Sequence, residues 1–424
     1  MKKETSGPQK LIVIPVQFPD KLATTTISDI KHRVYEEMDS YFRNVSYNKI
    51  TIIGNTSEAW VLLPQNLNYY GDFDGKNDHT GGSRSLIYDA IGCCDDFVDF
   101  SLYDCILVVH SGENEVNSQK IEDLWSWGFW EGLSAQTNDG VTFDQGAIVS
   151  EFDSLGTFCH EYGHILGLPD LYTYDESSSE FLVGRFGLMC HGSHNGNPEG
   201  SKPSHILSWG KIFLNWIDES QVIEVSLDQT INVTLEPIET QNFGMKVIKI
   251  PISAKEYYLL EVRNDNDLPQ QGVLITKVNE TKNSGEGIVT RAQSNRYDAA
   301  LNIGGVYEET ENWFSVRVLD QFANLSCLVQ VSNKLVPKIR ILEPRKVKAW
   351  KNFNIQVKIT NYEGSTLQGM ITNLSIEGQM ITNITDINGI STFSFCFNPL
   401  ALGERSINIQ VVGNEYYMNN QASA

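Results

Sequence analysis

The sequence predicts a multidomain protein of mixed class, an α/β region followed by all-β regions. Three observations carry this. At 424 residues the chain exceeds what one ordinary core holds. Up to about residue 220, apolar strand-like runs alternate with helical stripes, the pattern of an α/β domain. Beyond that point strand follows strand without a long amphipathic helix. The expected divisions are 1–220, a β-rich region 221–335 packed on it, and an Ig-like antiparallel β-sandwich over 336–424.

The elements follow in order. Residues 10–18, rich in Leu, Ile and Val, read as a buried first strand. Ser28 is placed to cap a helix whose Ile30, Val34, Met38, Tyr41 and Phe42 share one stripe. The segment NKITIIGNTSEAWVLLP suggests two strands about a turn at Gly54 and Asn55. A helix from Ser83 to Cys94 points Leu86, Ile87, Ala90 and Ile91 inward, and DCILVVHSG at 104–112 is a further buried strand. A tryptophan cluster, LWSWGFW at 124–130, precedes the strand GAIVSEF at 146–152, the candidate for an open sheet edge, with a central place as the alternative. The later strands are QVIEVSL, INVTLEP, FGMKVIKIPI, EYYLLEVRN, QGVLITKVN, ENWFSVRVLD and LSCLVQVS. A Pro and Lys/Arg-rich junction near 336–348 marks a boundary. After it, period-two alternation through Phe353, Ile355, Val357 and Ile359, through Phe393, Phe395 and Phe397, and through Ile407, Ile409 and Val411 indicates an antiparallel sandwich.

Composition excludes some functions. A hydrophobic share of 41% with 10% aromatics is that of a globular chain. A net charge of −21 argues against nucleic acid, which needs a clustered positive field. No apolar run reaches the roughly 18 residues of a membrane-spanning helix. LIVIPVQF near the N-terminus is short, contains a proline and reads as a strand, so an exported product would have lost its signal already. Asn-x-Ser/Thr triplets at Asn44, Asn55, Asn232, Asn279, Asn324, Asn373 and Asn383 favour a secreted, glycosylated protein. The cysteines form no CxxC pair, so a cysteine zinc site is not expected.

The chemistry is concentrated in SLGTFCHEYGHILGLPDLYTYD at 154–175. His160 and His164 lie four apart, so a helix projects both imidazoles from one face toward one metal ion. Glu161, beside the first, is placed to reach a metal-bound water. Gly167 suits a left-handed helix stop that returns the chain and brings Asp170 back as an oxygen ligand. Asp175 and Glu176 compete for that third position. Three protein ligands leave a place for water, as in catalytic zinc sites. Aromatic and aliphatic neighbours of the motif predict a buried helix, in which His and Glu need partners. Separately, DFDGKND gathers Asp72, Asp74, Asn77 and Asp78 around a glycine, a composition that suits Ca2+ or a solvated acidic turn.

Downstream, FGLMCHGSHNG places Met189 in a Gly-flanked turn that resembles the Met-turn of metzincin zinc proteases. The resemblance then widens. KLIVIPVQFPD, VYEEMDSYFRNVSYNKITIIG, NLNYYGDFDG, YDCILVVHSG, LWSWGFW, HEYGHILGLPDLY, LSWGKIFLNWI and YYLLEVRNDNDLPQQGVLITKV are similar to segments of the immune-inhibitor-A-like secreted metalloproteases, over roughly 10–280. That resemblance implies a metzincin-like catalytic domain, Zn2+ on His160, His164 and Asp170, Glu161 as general base, Ca2+ as a second cofactor, and protein or peptide substrates. Residues 336–424 lie outside it. His191, His194 and His205 are the candidates to face a developing oxyanion or the substrate. If the Met-turn lies under the helix, Cys159 and Cys190 come within range of a disulfide or stay as buried thiols; Cys327 and Cys396 are a second such pair. The competing expectation is an inactive binding or cell-surface protein on the same fold, against which an intact Glu161 argues.

Overall fold

The computed structural model describes residues 5–71, 82–120, 123–175, 182–227, 229–292, 300–343, 353–362, 364–376, 378–395 and 405–424. It is rich in strands, and the chain divides into two compact units. The first comprises 1–224 with 235–300, and the second 225–234 with 301–424.

The first unit is built on a six-stranded sheet. Its members are β1 (Gly7–Gln17), β2 (Ile50–Thr56), β3 (Cys105–His110), β4 (Trp127–Phe129) and β5 (Gly146–Ser150), in the order β2-β1-β3-β5-β4, with Val61–Leu62 also on β1. Every pairing is parallel except that of β4 with β5. The sheet is buried on both faces, which explains its nearly unbroken apolar runs. Leu11, Val13, Leu107, Val109, Ala147 and Val149 face one core, shared with a helical run over 27–45 and with helix α2 (Leu155–Ile165). Ile12, Ile14, Val16, Ile106, Val108 and Ile148 face the other, covered by α1 (Gly82–Cys94) through Leu86, Ile87, Ala90 and Ile91 as the apolar stripe predicts.

Several local expectations change. Thr26, not Ser28, caps the 27–45 run, because its hydroxyl accepts from the Asp29 amide while the Asp29 carboxylate reaches back to it. Gly54 makes no turn: β2 runs straight through it along β1. A Cβ there would stand 1.8 Å from the Leu11 carbonyl oxygen, so the glycine permits a close strand approach. β5 is a central strand between β3 and β4, and β4 takes the edge.

A second six-stranded sheet also belongs to this unit. It contains β6 (Val222–Glu224), β7 (Val247–Pro251), β8 (Glu256–Arg263), β9 (Gly272–Asn279) and β10 (Val289–Arg291), ordered β10-β9-β8-β7-β6, with Ala300–Leu301 also on β9. Val247, Leu259, Leu274, Val278 and Val289 join the core that α2 faces. The contacts therefore divide the chain differently from the strand pattern: the strands over 235–300 complete the first unit's core. Strand periodicity reports which face is buried, not which core buries it.

The second unit holds a four-stranded sheet of Ile231–Leu235, Cys327–Ser332, Phe314–Gln321 and Val306–Glu309. It also holds a three-stranded sheet (Lys338–Glu343, Phe353–Thr360, Ile390–Phe395) and another four-stranded one (Gln379–Ile384, Ile371–Ile376, Ile407–Val412, Asn420–Ser423). The last two share a core of Ile355, Val357, Ile359, Leu374, Phe393, Ile409 and Val411. Phe397 lies outside the described residues. No helix among the described residues is long and apolar enough to cross a membrane.

His110, at the end of β3, is fully buried, and its Nδ1 faces the Ser111 carbonyl at 3.0 Å. Burial pushes its pKa from 6.5 down to about 4, against the opposing pull of that carbonyl, Asp123 and Glu151. The fold thus holds the neutral imidazole, and the stability this carries is complete above the unfolded value and lost as pH falls from 6.5 toward about 4. Urea unfolding at about pH 7 and about pH 5 is expected to show wild type losing about 2 kcal/mol more than His110→Gln. Equal losses would contradict this.

Candidate active site

The Ser154 side chain accepts from the Thr157 amide at 3.3 Å and so starts α2. The helix ends as the glycine predicts. Gly167 has φ +95°, its amide donates to His164 O at 2.8 Å, and the Leu168 amide donates to Gly163 O at 3.0 Å, a Schellman stop. The reversed chain carries Asp170 to the face that bears the histidines.

His160 Nε2 lies 3.1 Å and His164 Nε2 3.4 Å from the same atom, Asp170 Oδ1. The potential ligand atoms of the three residues fall within 4.8 Å of one another, and all three side chains are buried. Asp170 is the carboxylate that lies beside both histidines; Glu176, like Asp72, Asp74, Asn77 and Asp78 of the candidate calcium loop, lies outside the described residues.

The outer nitrogens fix what the inner ones are. His160 Nδ1 is 3.2 Å from Leu188 O, and His164 Nδ1 is 2.7 Å from Leu168 O. A carbonyl only accepts, so each neutral ring carries its proton on Nδ1 and turns a lone pair inward from Nε2. Asp170 Oδ1 is buried and makes no hydrogen bond of its own. Two imidazole lone pairs and a carboxylate oxygen therefore converge, an arrangement that repels itself without a cation and whose donor set suits zinc. Burial raises the Asp170 pKa, and positive charge at this point, as protonated imidazoles would carry, outweighs it and holds the carboxyl far below its usual range. Burial likewise pushes Glu161 up to about 8, with His160 opposing and Asp170 and Asp153 reinforcing the shift.

Close packing supports the cluster. A Cβ on Gly163 would stand 2.6 Å from Met189 Sδ, so the Met189 turn lies directly against the helix that bears the histidines. The neighbouring Leu188 carbonyl is the one that orients His160. Cys159 and Cys190 are both buried free thiols, which corrects the idea of a disulfide locking the site; Cys327 is also free, and Cys396 lies outside the described residues. Cys159 and Cys190 lie in the same apolar core cluster, the first on the helix and the second in the turn after Met189.

The histidines proposed for an oxyanion or substrate separate in space. His205 is buried against Asn44 Nδ2 and Lys211 Nζ, each at 3.3 Å, as a part of the core. His191 and His194 lie on the turn after Met189, with His194 3.4 Å from Glu199. Burial lowers the His194 pKa, against the opposing charge of Glu199.

Some residues at the site were not singled out from sequence. Tyr172 stacks on His160 with ring centroids 6.2 Å apart, Trp130 lies 5.9 Å from His164, and Tyr174 donates to Asp170 Oδ2 at 2.5 Å. The aromatic clusters LWSWGFW and DLYTYD were the available signal. Gly128, inside the first, lets β4 pass over α2: a Cβ there would lie 2.5 Å from His164 Cβ and 2.9 Å from Glu161 O. Gly128→Ala is expected to cost roughly 1–3 kcal/mol, through the shift it forces on a packed contact, and to weaken metal binding. Chemical unfolding together with metal titration checks this; no change in either would contradict it.

Part of the chain is similar to known proteins. Residues 124–217 match the family described as immune inhibitor A peptidase M6, catalytic domain. The chain is 23% identical over 261 residues to the pre-pro-metalloprotease PrtV of Vibrio cholerae serotype O1, a match covering 51% of this chain and 28% of that protein. It is 24% identical over 291 residues to immune inhibitor A of Bacillus thuringiensis subsp. alesti, covering 54% of this chain and 42% of the relative. The matches thus span less than half the length of either relative. The His160, His164 and Asp170 cluster lies inside the matched segment, so that segment is similar to the catalytic domain of the immune inhibitor A (M6) peptidases.

Proposed function

We propose that this chain is a zinc-dependent endopeptidase, with His160, His164 and Asp170 holding the ion and Glu161 as general base. The observation that carries the reading is the convergence of three buried lone-pair atoms on one point, one residue from a buried carboxyl, within the segment that matches a peptidase family. When bound, the ion supplies Lewis acidity to the scissile carbonyl and to a water. Glu161 takes the proton of the attacking water and delivers it to the leaving amine. Its burial, and a pKa of about 8 without a cation, mean that a nearby positive charge governs its ionisation.

β4 is the last strand of its sheet among the described residues and crosses the helix at Gly128. A substrate peptide adding to that edge would lie extended beside Glu161 and His164, which gives protein or peptide substrates as the class. In this reading the protein acts outside the cell, in keeping with its asparagine triplets; the catalytic region is metzincin-like, and the region 336–424 is an Ig-like sandwich. His191 and His194 are kept as the candidates to face an oxyanion.

The test compares casein hydrolysis by metal-replete wild type, chelator-treated wild type and Glu161→Ala. Chelation is expected to abolish activity and zinc to restore it. Glu161→Ala should lower kcat by roughly 10²–10⁴-fold or more with zinc still bound. If Glu161→Ala and wild type behave alike with zinc bound, the alternative of an inactive binding protein replaces this reading.

A further inference from the structure

The connection between β9 and β10 reaches the cluster from the second sheet. Ser284 Oγ accepts from the Asp170 amide at 2.9 Å, and the Gly285 amide donates to Asp170 O at 3.3 Å. In return the Tyr174 amide donates to Gly285 O at 3.0 Å, and Thr173 forms a bridge with Glu286. The side chains close the arrangement: the Tyr174 hydroxyl donates to Asp170 Oδ2 at 2.5 Å and lies 3.2 Å from Ser284 Oγ. Asp170 is thereby held at its amide, its carbonyl and the carboxylate oxygen not shared with the histidines.

The connection has a shape of its own. Glu286 Oε2 accepts from the Asn283 amide at 2.8 Å and from its side-chain amide at 3.1 Å, and the Glu286 amide donates back to Asn283 O at 3.1 Å. Gly285 has φ +73°, and a Cβ on it would stand 2.2 Å from the Tyr174 ring, so only glycine lets that ring lie flat on the turn. The same ring meets Tyr172 edge-on at 5.6 Å, and Tyr172 stacks on His160. The Tyr174 side chain is 57% exposed, yet its hydroxyl reaches the buried Asp170 carboxylate.

We propose that Tyr174 and Ser284 are positioning residues that aim the Asp170 carboxylate, so that the metal site is completed from the β9–β10 connection. The inference rests on the metal reading above and adds to it the residues that set the third ligand's geometry. Groups hydrogen-bonded to a metal ligand act on affinity by fixing its orientation and charge, with losses of about 10–100-fold when removed. Because Tyr174 and Ser284 also touch each other, their effects should overlap rather than add.

The experiment measures zinc dissociation constants for wild type, Tyr174→Phe, Ser284→Ala and the double variant by competition with a chromogenic chelator. The melting temperature of each metal-free protein is recorded beside them. The expected result is zinc binding weakened about 10–100-fold in each single variant, little more in the double, and metal-free melting temperatures near wild type. Should Ser284→Ala lower metal-free stability, Tyr174→Phe, which keeps the ring and its packing, carries the test. Wild-type affinity in Tyr174→Phe would overturn the proposal while leaving the metal site standing. Failure of wild type itself to bind zinc would overturn the metal reading, and this inference with it.

Discussion

The repulsion among three buried lone pairs is the constraint on which the rest of the first unit depends. Two imidazoles whose outer nitrogens face carbonyl oxygens, and a carboxylate oxygen without a hydrogen bond, meet at a largely buried point. Desolvating such groups is costly unless a cation lies between them. Neighbouring features serve to hold that arrangement in place. Gly163 admits Met189 beneath the helix, Gly167 ends it at the turn that returns Asp170, and Gly128 lets the edge strand pass above.

The second sheet is part of the same device. Arg263, fully buried on β8, donates to Glu239 Oε1 at 2.8 Å and to the Phe186 carbonyl, so it ties the sheet to the segment leading into the Met189 turn. Glu261, two positions before it, accepts from the Ser208 amide at 2.7 Å. Burial raises the Glu261 pKa and Arg263 opposes the rise, as expected of a buried pair that holds a geometry more than it adds stability. Further along the sheet, the β9–β10 connection reaches Asp170. One sheet thus supports the turn under the histidines and the residue that faces them.

Much of the site was legible because it is local. Spacing along a helix places His160 and His164 on one face, and a glycine at a helix end determines where the chain turns. The elements of the parallel sheet were also readable, since strands buried on both faces need continuous apolar runs. What escaped the sequence depends on distant partners. Gly54 lies opposite Leu11 within a strand rather than in a turn, and nothing near it records that neighbour. The strands over 235–300 carry the right period, but period does not name the core they join. Tyr174 and Ser284 meet across 110 positions, a pairing set by how the second sheet packs.

The central claim is a single cation among His160, His164 and Asp170. Anomalous diffraction at the zinc absorption edge, on crystals of zinc-loaded protein, tests it most directly. One strong peak is expected within bonding reach of His160 Nε2, His164 Nε2 and Asp170 Oδ1. A peak elsewhere with none there, or the three side chains turned apart in zinc-loaded protein, would contradict it.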